Sequence, residues 1–318
     1  YIGGRDSIER HLIADFDINY VPIFTGKLRR YISVENFIDI FKIVLGTIQS
    51  FFFLLFKPRK TLIFSTGGFV SVPVVVAAKL TGKKIFIHEQ TSRVGLANKI
   101  CSIFATKVFV SFEESLKFFP KEKTSLSGYP LRRECFDSKL RSDNFKNLKL
   151  SSPDRPILFV TGGGNGSLLL NNLIKEDIKY LEDHYITIHQ VGQKFITEFE
   201  KFKTDSYIPV AFVGQEIIDI MKSSSIVISR AGAGTVCELI ALQKRSIFIP
   251  LKIAQKNEQY HNAMEANTKL GSLVISEDEL ASLSIKTILE TFNTQKSVEA
   301  SELTASATDF LIKEIKNL

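Results

Sequence analysis

The stretch PILFVTGGGNGSLLL, residues 156–170, decides the fold class. Its apolar run ILFV shows no polar alternation, which marks a strand buried on both faces, as in a parallel sheet covered by helices. A glycine-rich turn follows, and then a stretch suited to a helix. The pattern recurs outward from there. Strand candidates lie at 186–191, 209–213, 225–229 and 246–250 downstream, and at 61–65, 84–88 and 107–111 upstream, with helical stretches between them. Such alternation in both halves predicts an α/β protein of two doubly wound domains. The polar stretch RSDNFKNLKLSSPDRP (141–156), with Ser-Ser-Pro before a fresh strand, gives domains 1–145 and 146–318.

A chain of 318 residues with 44% hydrophobic and 24% charged residues is large enough for two cores and is neither disordered nor a small disulfide scaffold. Cys101, Cys135 and Cys237 lie far apart with no CxxC, which argues against structural zinc and for a reducing cytosol. The net charge of +7 is unevenly spread. Residues 1–140 carry 21 Lys and Arg against 12 Asp and Glu, whereas the remainder carries 20 against 22. A basic first half suits an anionic surface. No zinc-finger spacing or RNA-binding aromatic motif is visible, so lipid head groups are favoured over nucleic acid.

Three glycine turns follow strand candidates: STGGFVSVP (65–73), VTGGGNGS (160–167) and SRAGAGT (229–235). Glycine lets a ligand approach the main chain, and the next helix aims free N–H groups and its positive dipole end at the turn. That is an anion site, usually for phosphate. None is a Walker A loop or a clean dinucleotide fingerprint. A glycine at a βα turn often serves only to turn the chain, but three such loops at strand ends are harder to dismiss.

GGFVSVP, HEQTSRVGLANK (88–99), GYPLR (128–132), TGGGNG, SRAGAGTVCEL and NEQYHNA (257–263) stand in the order found in the MurG family, which this sequence resembles over residues 1–270. The family comprises bacterial transferases that add N-acetylglucosamine to lipid-linked N-acetylmuramyl-pentapeptide. The resemblance implies a GT-B fold, two Rossmann-like domains facing a cleft, with the last helix free to cross back to the first domain. The UDP-sugar would lie mostly on the second domain and the lipid-linked acceptor on the first.

The resemblance also assigns residues. Arg132 of GYPLR falls in the donor site, where a guanidinium suits a phosphate or a uracil carbonyl; alone it reads as a surface Arg in a linker. Gly163, Gly164 and Asn165 would turn backbone N–H groups to the diphosphate. Arg230, Ala233, Gly234, Thr235 and Glu238 come from SRAGAGTVCE. Thr235 and Glu238 share a helix face, one for phosphate and one for ribose hydroxyls, although TxxE alone more often means a capping box. Gln259 would contact the sugar with both halves of its amide. Val213 matches a residue whose backbone meets uracil, and its side chain alone reads as core. Thr91 joins the donor set. Gly67 and Gly68 would hold the acceptor's diphosphate at a helix start. His88 reads as a strand-end histidine satisfied by backbone rather than as a base.

This sequence departs from the family at three positions: Thr91 replaces an Asn, Tyr129 replaces an Asn, and GGGNG, with Asn165, replaces GGSQG. These bear on the choice of sugar and acceptor more than on the chemistry. The family opens with a strand and a GGTGGH loop that carries the base His, and this sequence begins after it, at YIGGRDSIE. The resemblance therefore implies a preceding βα piece of roughly 30 residues, leaves no catalytic residue assignable within 1–318, and predicts weak or no transfer without that piece. Transfer is expected to invert the anomeric centre without a metal or other cofactor, the departing UDP being stabilised by amides and Arg132. Asp15 and Asp17 form a DxD, the pattern of metal-using sugar transferases, but away from any glycine turn they read as a solvated turn.

The segment FIDIFKIVLGTIQSFFFLLF (37–56) is about as long as a bilayer span, yet Asp39, Lys42, Gln49 and Ser50 interrupt it. An amphipathic helix with Phe37, Ile40, Phe41, Val44, Ile48, Phe52 and Leu55 on one face fits better. Lys27, Arg29 and Arg30 precede it, and Lys57, Arg59 and Lys60 follow, which favours docking on anionic lipid at the cytoplasmic face of the bacterial inner membrane. Packing of this helix against the first sheet is an equal alternative. A UDP-N-acetylglucosamine 2-epimerase and a non-catalytic nucleotide-sugar-binding subunit are the competing functions.

Overall fold

A computed structural model describes residues 1–5, 7, 9–14, 16–26, 34–253, 257–295, 298 and 307–317. The chain divides into two compact units, one of Tyr1–Tyr129 with Ala307–Leu318 and one of Pro130–Ser306. The first begins with β1 (Ile2–Gly4), α1 (Glu9–Leu12) and β2 (Val21–Ile23), the strands pairing as a small parallel sheet. It continues with α2 (Val34–Leu55), β3 (Leu62–Ser65), α3 (Ser71–Leu80), β4 (Lys84–Glu89), α4 (Leu96–Phe104), β5 (Lys107–Val110) and β6 (Thr124–Leu126). Strands β3 to β6 form a parallel sheet in chain order. Alternate residues of β4 explain why its run is apolar throughout. Ile85 and Ile87 pack with Val75 and Ala78 of α3 on one face, and Phe86 packs with Phe109 on the other.

The second unit opens with the hairpin β7 (Asn144–Phe145) and β8 (Leu148–Lys149). Then come β9 (Ile157–Thr161), α5 (Leu168–Glu176), α6 (Ile178–His184), β10 (Ile186–Gln190), α7 (Ile196–Phe199), β11 (Tyr207–Val210), α8 (Ile217–Ser223) and β12 (Ile226–Ser229). After them follow α9 (Ala233–Ala241), β13 (Ile247–Phe248), α10 (Glu258–Leu270), β14 (Leu273–Val274), α11 (Glu277–Leu280) and α12 (Ile285–Thr294). Six strands form one parallel sheet in the order β11-β10-β9-β12-β13-β14. The ILFV run sits at its centre, with Ile157 and Phe159 in one core and Leu158 and Val160 in the other. The last helix, α13 (Ala307–Lys316), packs in the first unit, where Leu311 joins Phe86 and Phe109 and Lys107 pairs with Glu314.

Two details depart from the sequence reading. The second unit begins at Pro130 rather than near 146, because Leu131, Cys135, Leu140 and Phe145 all pack into its core. Strand β11 covers Tyr207–Val210 rather than 209–213. Pro209 is tolerated there because β11 is an edge strand paired only with β10, so its missing N–H breaks no ladder.

Candidate functional site

Within the second sheet the chain runs outward from β9 through β10 to β11, then returns to the other side of β9 for β12 and β13. That reversal is a topological switch point, and the carboxyl ends of β9 and β12 open there with a helix start behind each. Gly162, Gly166, Arg230, Gln259 and Glu277 line a cleft at that place.

The loop after β9 is held from below and open above. Thr161 Oγ1 accepts from Gly163 N at 3.1 Å, and Gly163 O accepts from Gly166 N at 3.0 Å. Gly166 has φ +74°, and a Cβ there would overlap the Val191 carbonyl, so only glycine fits. Ser167 caps α5 by accepting from Leu170 N. The exposed amides of Gly164 and Asn165 find no acceptor within the chain among the described residues. Opposite, Gly232 is the N-cap of α9 and offers no side-chain cap, so the N–H groups of Ala233, Gly234 and Thr235 find no acceptor among the described residues. Thr235 is the third residue of the helix rather than its cap, which removes the capping-box reading of TxxE.

Glu238 lies one turn further along α9 and meets Arg132, whose Nε is 3.4 Å from its Oε1. Burial raises the Glu238 carboxyl above its ordinary range, and Arg132 partly opposes this. The Glu238 side chain is largely enclosed, whereas that of Arg132 is half-exposed, so the guanidinium has room for a second anionic partner.

Three sequence-assigned groups have less freedom than expected. Gln259 Oε1 accepts from Ala231 N at 3.2 Å and Leu251 N at 3.0 Å, which leaves its NH2 as the group for a ligand. Arg230 lines the cleft, but its Nε donates to Ser167 Oγ and its Nη1 to Ile249 O and Glu277 Oε1. It fastens the ends of β9, β12 and β13 together. Val213 has its side chain in the core, as one reading had it, and its N–H is bound by Gln190 Oε1 at 2.8 Å. Phe212 beside it is exposed.

Gly67, Gly68 and Thr91 belong to the first unit. Gly67 (φ +93°) and Gly68 (φ +81°) precede α3, which has no side-chain cap, and Ser71 Oγ donates to Gly68 O. Glu89, buried at the end of β4, accepts from Thr91 N and Oγ1, Gly95 N and Asn98 Nδ2. The single proton of the Thr91 hydroxyl is therefore committed to Glu89 Oε1 and the Arg93 carbonyl, which leaves the oxygen only as an acceptor for a ligand. His88 is fully enclosed, with Nε2 3.2 Å from Gly128 O, and burial lowers its pKa. Backbone thus satisfies Nε2, as the sequence reading expected, whereas the buried Nδ1 has no partner among the described residues. Asp15 of the DxD lies outside the described residues, and Asp17 is exposed.

Sequence reasoning missed Gln190, Ser167, Asn262 and Glu277. Gln190 and Asn262 are polar side chains nearly fully enclosed beside glycine turns. A polar residue closing an apolar strand, as in ITIHQ, was the available signal for the first.

Residues 1–110 match the glycosyltransferase family 28 N-terminal domain and residues 157–317 match the glycosyltransferase family 28 C-terminal domain. A curated UDP-N-acetylglucosamine--N-acetylmuramyl-(pentapeptide) pyrophosphoryl-undecaprenol N-acetylglucosamine transferase of Clostridium botulinum is 36% identical over all of this chain and 89% of its own length. One of the same description from Clostridium tetani is 38% identical over 88% of this chain and 78% of its own. Among solved structures, Acinetobacter baumannii MurG superposes with a TM-score of 0.68 at 20% identity, covering 100% of this chain and 90% of its own. A putative UDP-N-acetylglucosamine 2-epimerase from Listeria monocytogenes reaches 0.63 at 12% identity, covering 97% and 86%, and shares the fold alone.

Proposed function

The chain belongs to the MurG family, within glycosyltransferase family 28, and from that premise we infer that it is the hexosyltransferase that turns lipid I into lipid II. It moves N-acetylglucosamine from UDP-N-acetylglucosamine to lipid-linked N-acetylmuramyl-pentapeptide, a step of peptidoglycan synthesis on which cell-wall biogenesis, cell shape and division depend. The observation that carries the reading is the facing pair of helix starts, α5 and α9, with the Arg132–Glu238 pair one turn behind the second.

In this reading the amides of Gly164, Asn165, Ala233 and Gly234 and the Thr235 hydroxyl take the donor's diphosphate. They stabilise the charge that develops as UDP departs. Arg132 adds a cation to the same oxygens or to the uracil, and Glu238 accepts from ribose hydroxyls. The NH2 of Gln259 donates to the sugar. Gly67 and Gly68, ahead of α3, take the acceptor's diphosphate.

Helix α2 supports docking at the cytoplasmic face of the inner membrane. No helix among the described residues is long and apolar enough to cross a membrane. Helix α2 packs on α3 and keeps Gly46, Ser50 and Leu54 buried. It leaves Ile40, Phe41, Val44, Ile48, Phe52 and Leu55 exposed. Those residues recur at helical spacing on one face, and the exposed Lys57, Arg59 and Lys60 follow it. An apolar stripe beside cations fits anionic lipid at the interface. The side chain of Phe37, and Lys27, Arg29 and Arg30, lie outside the described residues.

The test is transfer of label from UDP-N-acetylglucosamine into the lipid phase by the full-length protein, with and without the lipid-linked muramyl-pentapeptide. Acceptor-dependent transfer that Glu238→Ala weakens at subsaturating UDP-N-acetylglucosamine supports the assignment. Conversion of the UDP-sugar without acceptor would favour an epimerase, and absence of saturable UDP-sugar binding would overturn the donor site.

A further inference from the structure

Gln190 closes β10 with its side chain enclosed, and both halves of its amide are engaged by loops from neighbouring strands. Its Nε2 donates to Gly163 O at 2.7 Å, and its Oε1 accepts from Val213 N at 2.8 Å. Gly163 belongs to the loop after β9 and Val213 to the turn after β11, on either side of β10 in the sheet. One buried side chain therefore sets the separation of two loops that have no shared strand. The Gly163 carbonyl it grips also accepts from Gly166 N, so the grip falls on the carbonyl that closes the glycine turn.

The rest of the junction is built to the same tolerance. Asn171 Nδ2 donates to Val191 O at 3.0 Å, tying α5 to the residue after Gln190. Gly166 and Gly192 approach so closely that a Cβ on either would overlap the other segment's backbone. The free amides of Gly164 and Asn165 hang between these anchors.

We propose that Gln190 is a positioning residue for the nucleoside diphosphate, fixing the diphosphate loop at Gly163 relative to the base-binding turn at Val213. This rests on the proposed donor site, with the loop at Gly163 on the diphosphate, and on the family resemblance by which the Val213 backbone meets uracil, here through its carbonyl because its N–H is held by Gln190. An amide is suited to the task because it presents one donor and one acceptor at fixed separation, and a carbonyl and an N–H await them. A carboxylate there keeps the bond to Val213 but opposes the Gly163 carbonyl, and a methionine loses both bonds at similar volume.

The consequence is a coupling between two parts of one ligand, which separates this role from general support of the fold. Binding of UDP, uridine and inorganic pyrophosphate is measured on the full chain and on Gln190→Met, with thermal unfolding as a control. UDP affinity is expected to fall tenfold or more, while affinity for each fragment changes less than twofold, because each loop still adapts to its own piece. Equal loss for all three ligands, or unchanged UDP affinity in a folded variant, would overturn the positioning role. Should Gln190→Met not fold, the near-isosteric Gln190→Glu, which retains the Val213 bond, is read by the same criteria. If the unaltered chain does not bind UDP saturably, the donor-site reading itself fails, and that outcome is distinct from the others.

Discussion

Arg132 and Glu238 form an ion pair, Nε to Oε1 at 3.4 Å, although 105 intervening residues carry most of the second unit's sheet between them. One member comes from the segment entering that unit and the other from the helix after β12. The pair brings a half-exposed cation and an enclosed carboxylate to one end of the sheet.

The first prediction concerns pH. In the proposed donor site Glu238 would accept ribose hydroxyls best when ionised, and burial already holds its pKa above the ordinary carboxylate value while Arg132 pulls it down. Removing the guanidinium in Arg132→Ala raises that pKa further, since the carboxylate loses its counter-charge. The acid limb of kcat/KM for UDP-N-acetylglucosamine should therefore move to higher pH in Arg132→Ala. In Glu238→Ala, the loss of a charged hydrogen-bond acceptor, about 1.5–3 kcal/mol, should raise KM roughly 10- to 100-fold. A limb that stays in place in Arg132→Ala would show that Glu238 does not control it.

Gln259 separates anchoring from recognition. Its Oε1 holds the amides of Ala231 and Leu251, and the residue lines the cleft with its NH2 not engaged in either bond. Gln259→Glu retains the acceptor and loses the donor, so it should keep its thermal midpoint within a few degrees yet raise KM for the UDP-sugar several-fold. Gln259→Met leaves two N–H groups unpaired, at about 1–3 kcal/mol each where they are buried, and should unfold at visibly lower denaturant. Equal stability of the two variants would contradict the anchoring role.

Much of this site was legible in the sequence because its chemistry is backbone chemistry. The runs ILFV and IVIS announce β9 and β12 by their lack of polar alternation, and the glycines after them announce ligand loops. The run IFIP likewise announces β13, read as 246–250 and found over Ile247–Phe248, whereas β14, of two residues, carries too little pattern to be located in that way. The partners of Arg230 were equally out of reach, because Ser167, Ile249 and Glu277 meet it only once the sheet is assembled. The same holds for Gln190, whose two bonds reach 27 residues back and 23 forward. Motif spacing reports the residues on one loop, whereas the groups that set one loop against another are long-range and leave no local signature.

Helix α2 offers a test that leaves the donor site untouched. Phe41 and Phe52 are exposed, so Phe41→Ser with Phe52→Ser removes apolar surface without opening a cavity. Sedimentation with vesicles containing anionic phospholipid should fall several-fold, and UDP binding should be unchanged. Binding of the unaltered chain should also weaken with added salt, because Lys57, Arg59 and Lys60 contribute through a screened attraction. Vesicle binding that survives both the double substitution and high salt would rule out this face.

The last prediction follows from a histidine outside the site. His189 sits beside Gln190 in the apolar core of the second unit, fully buried, with Nδ1 2.8 Å from Tyr207 Oη and Phe199 packed edge-on. Burial lowers its pKa from 6.5 to about 3. The folded chain therefore keeps His189 neutral at pH values where the unfolded chain protonates it. Below about pH 6.5 the unfolded state binds the extra proton, and stability is lost by about 1.4 kcal/mol per pH unit until the folded pKa is reached. His189→Phe fills the same aromatic cluster without a titrating group. Urea unfolding at pH 7.5, 6, 5 and 4 should show the unaltered chain losing stability faster than the variant, the difference beginning near 6.5 and growing downward. His88 titrates with the same sign, but it is common to both proteins and cancels in that difference. Parallel curves across the whole range would mean that water reaches the imidazole and that the core around β10 is not closed.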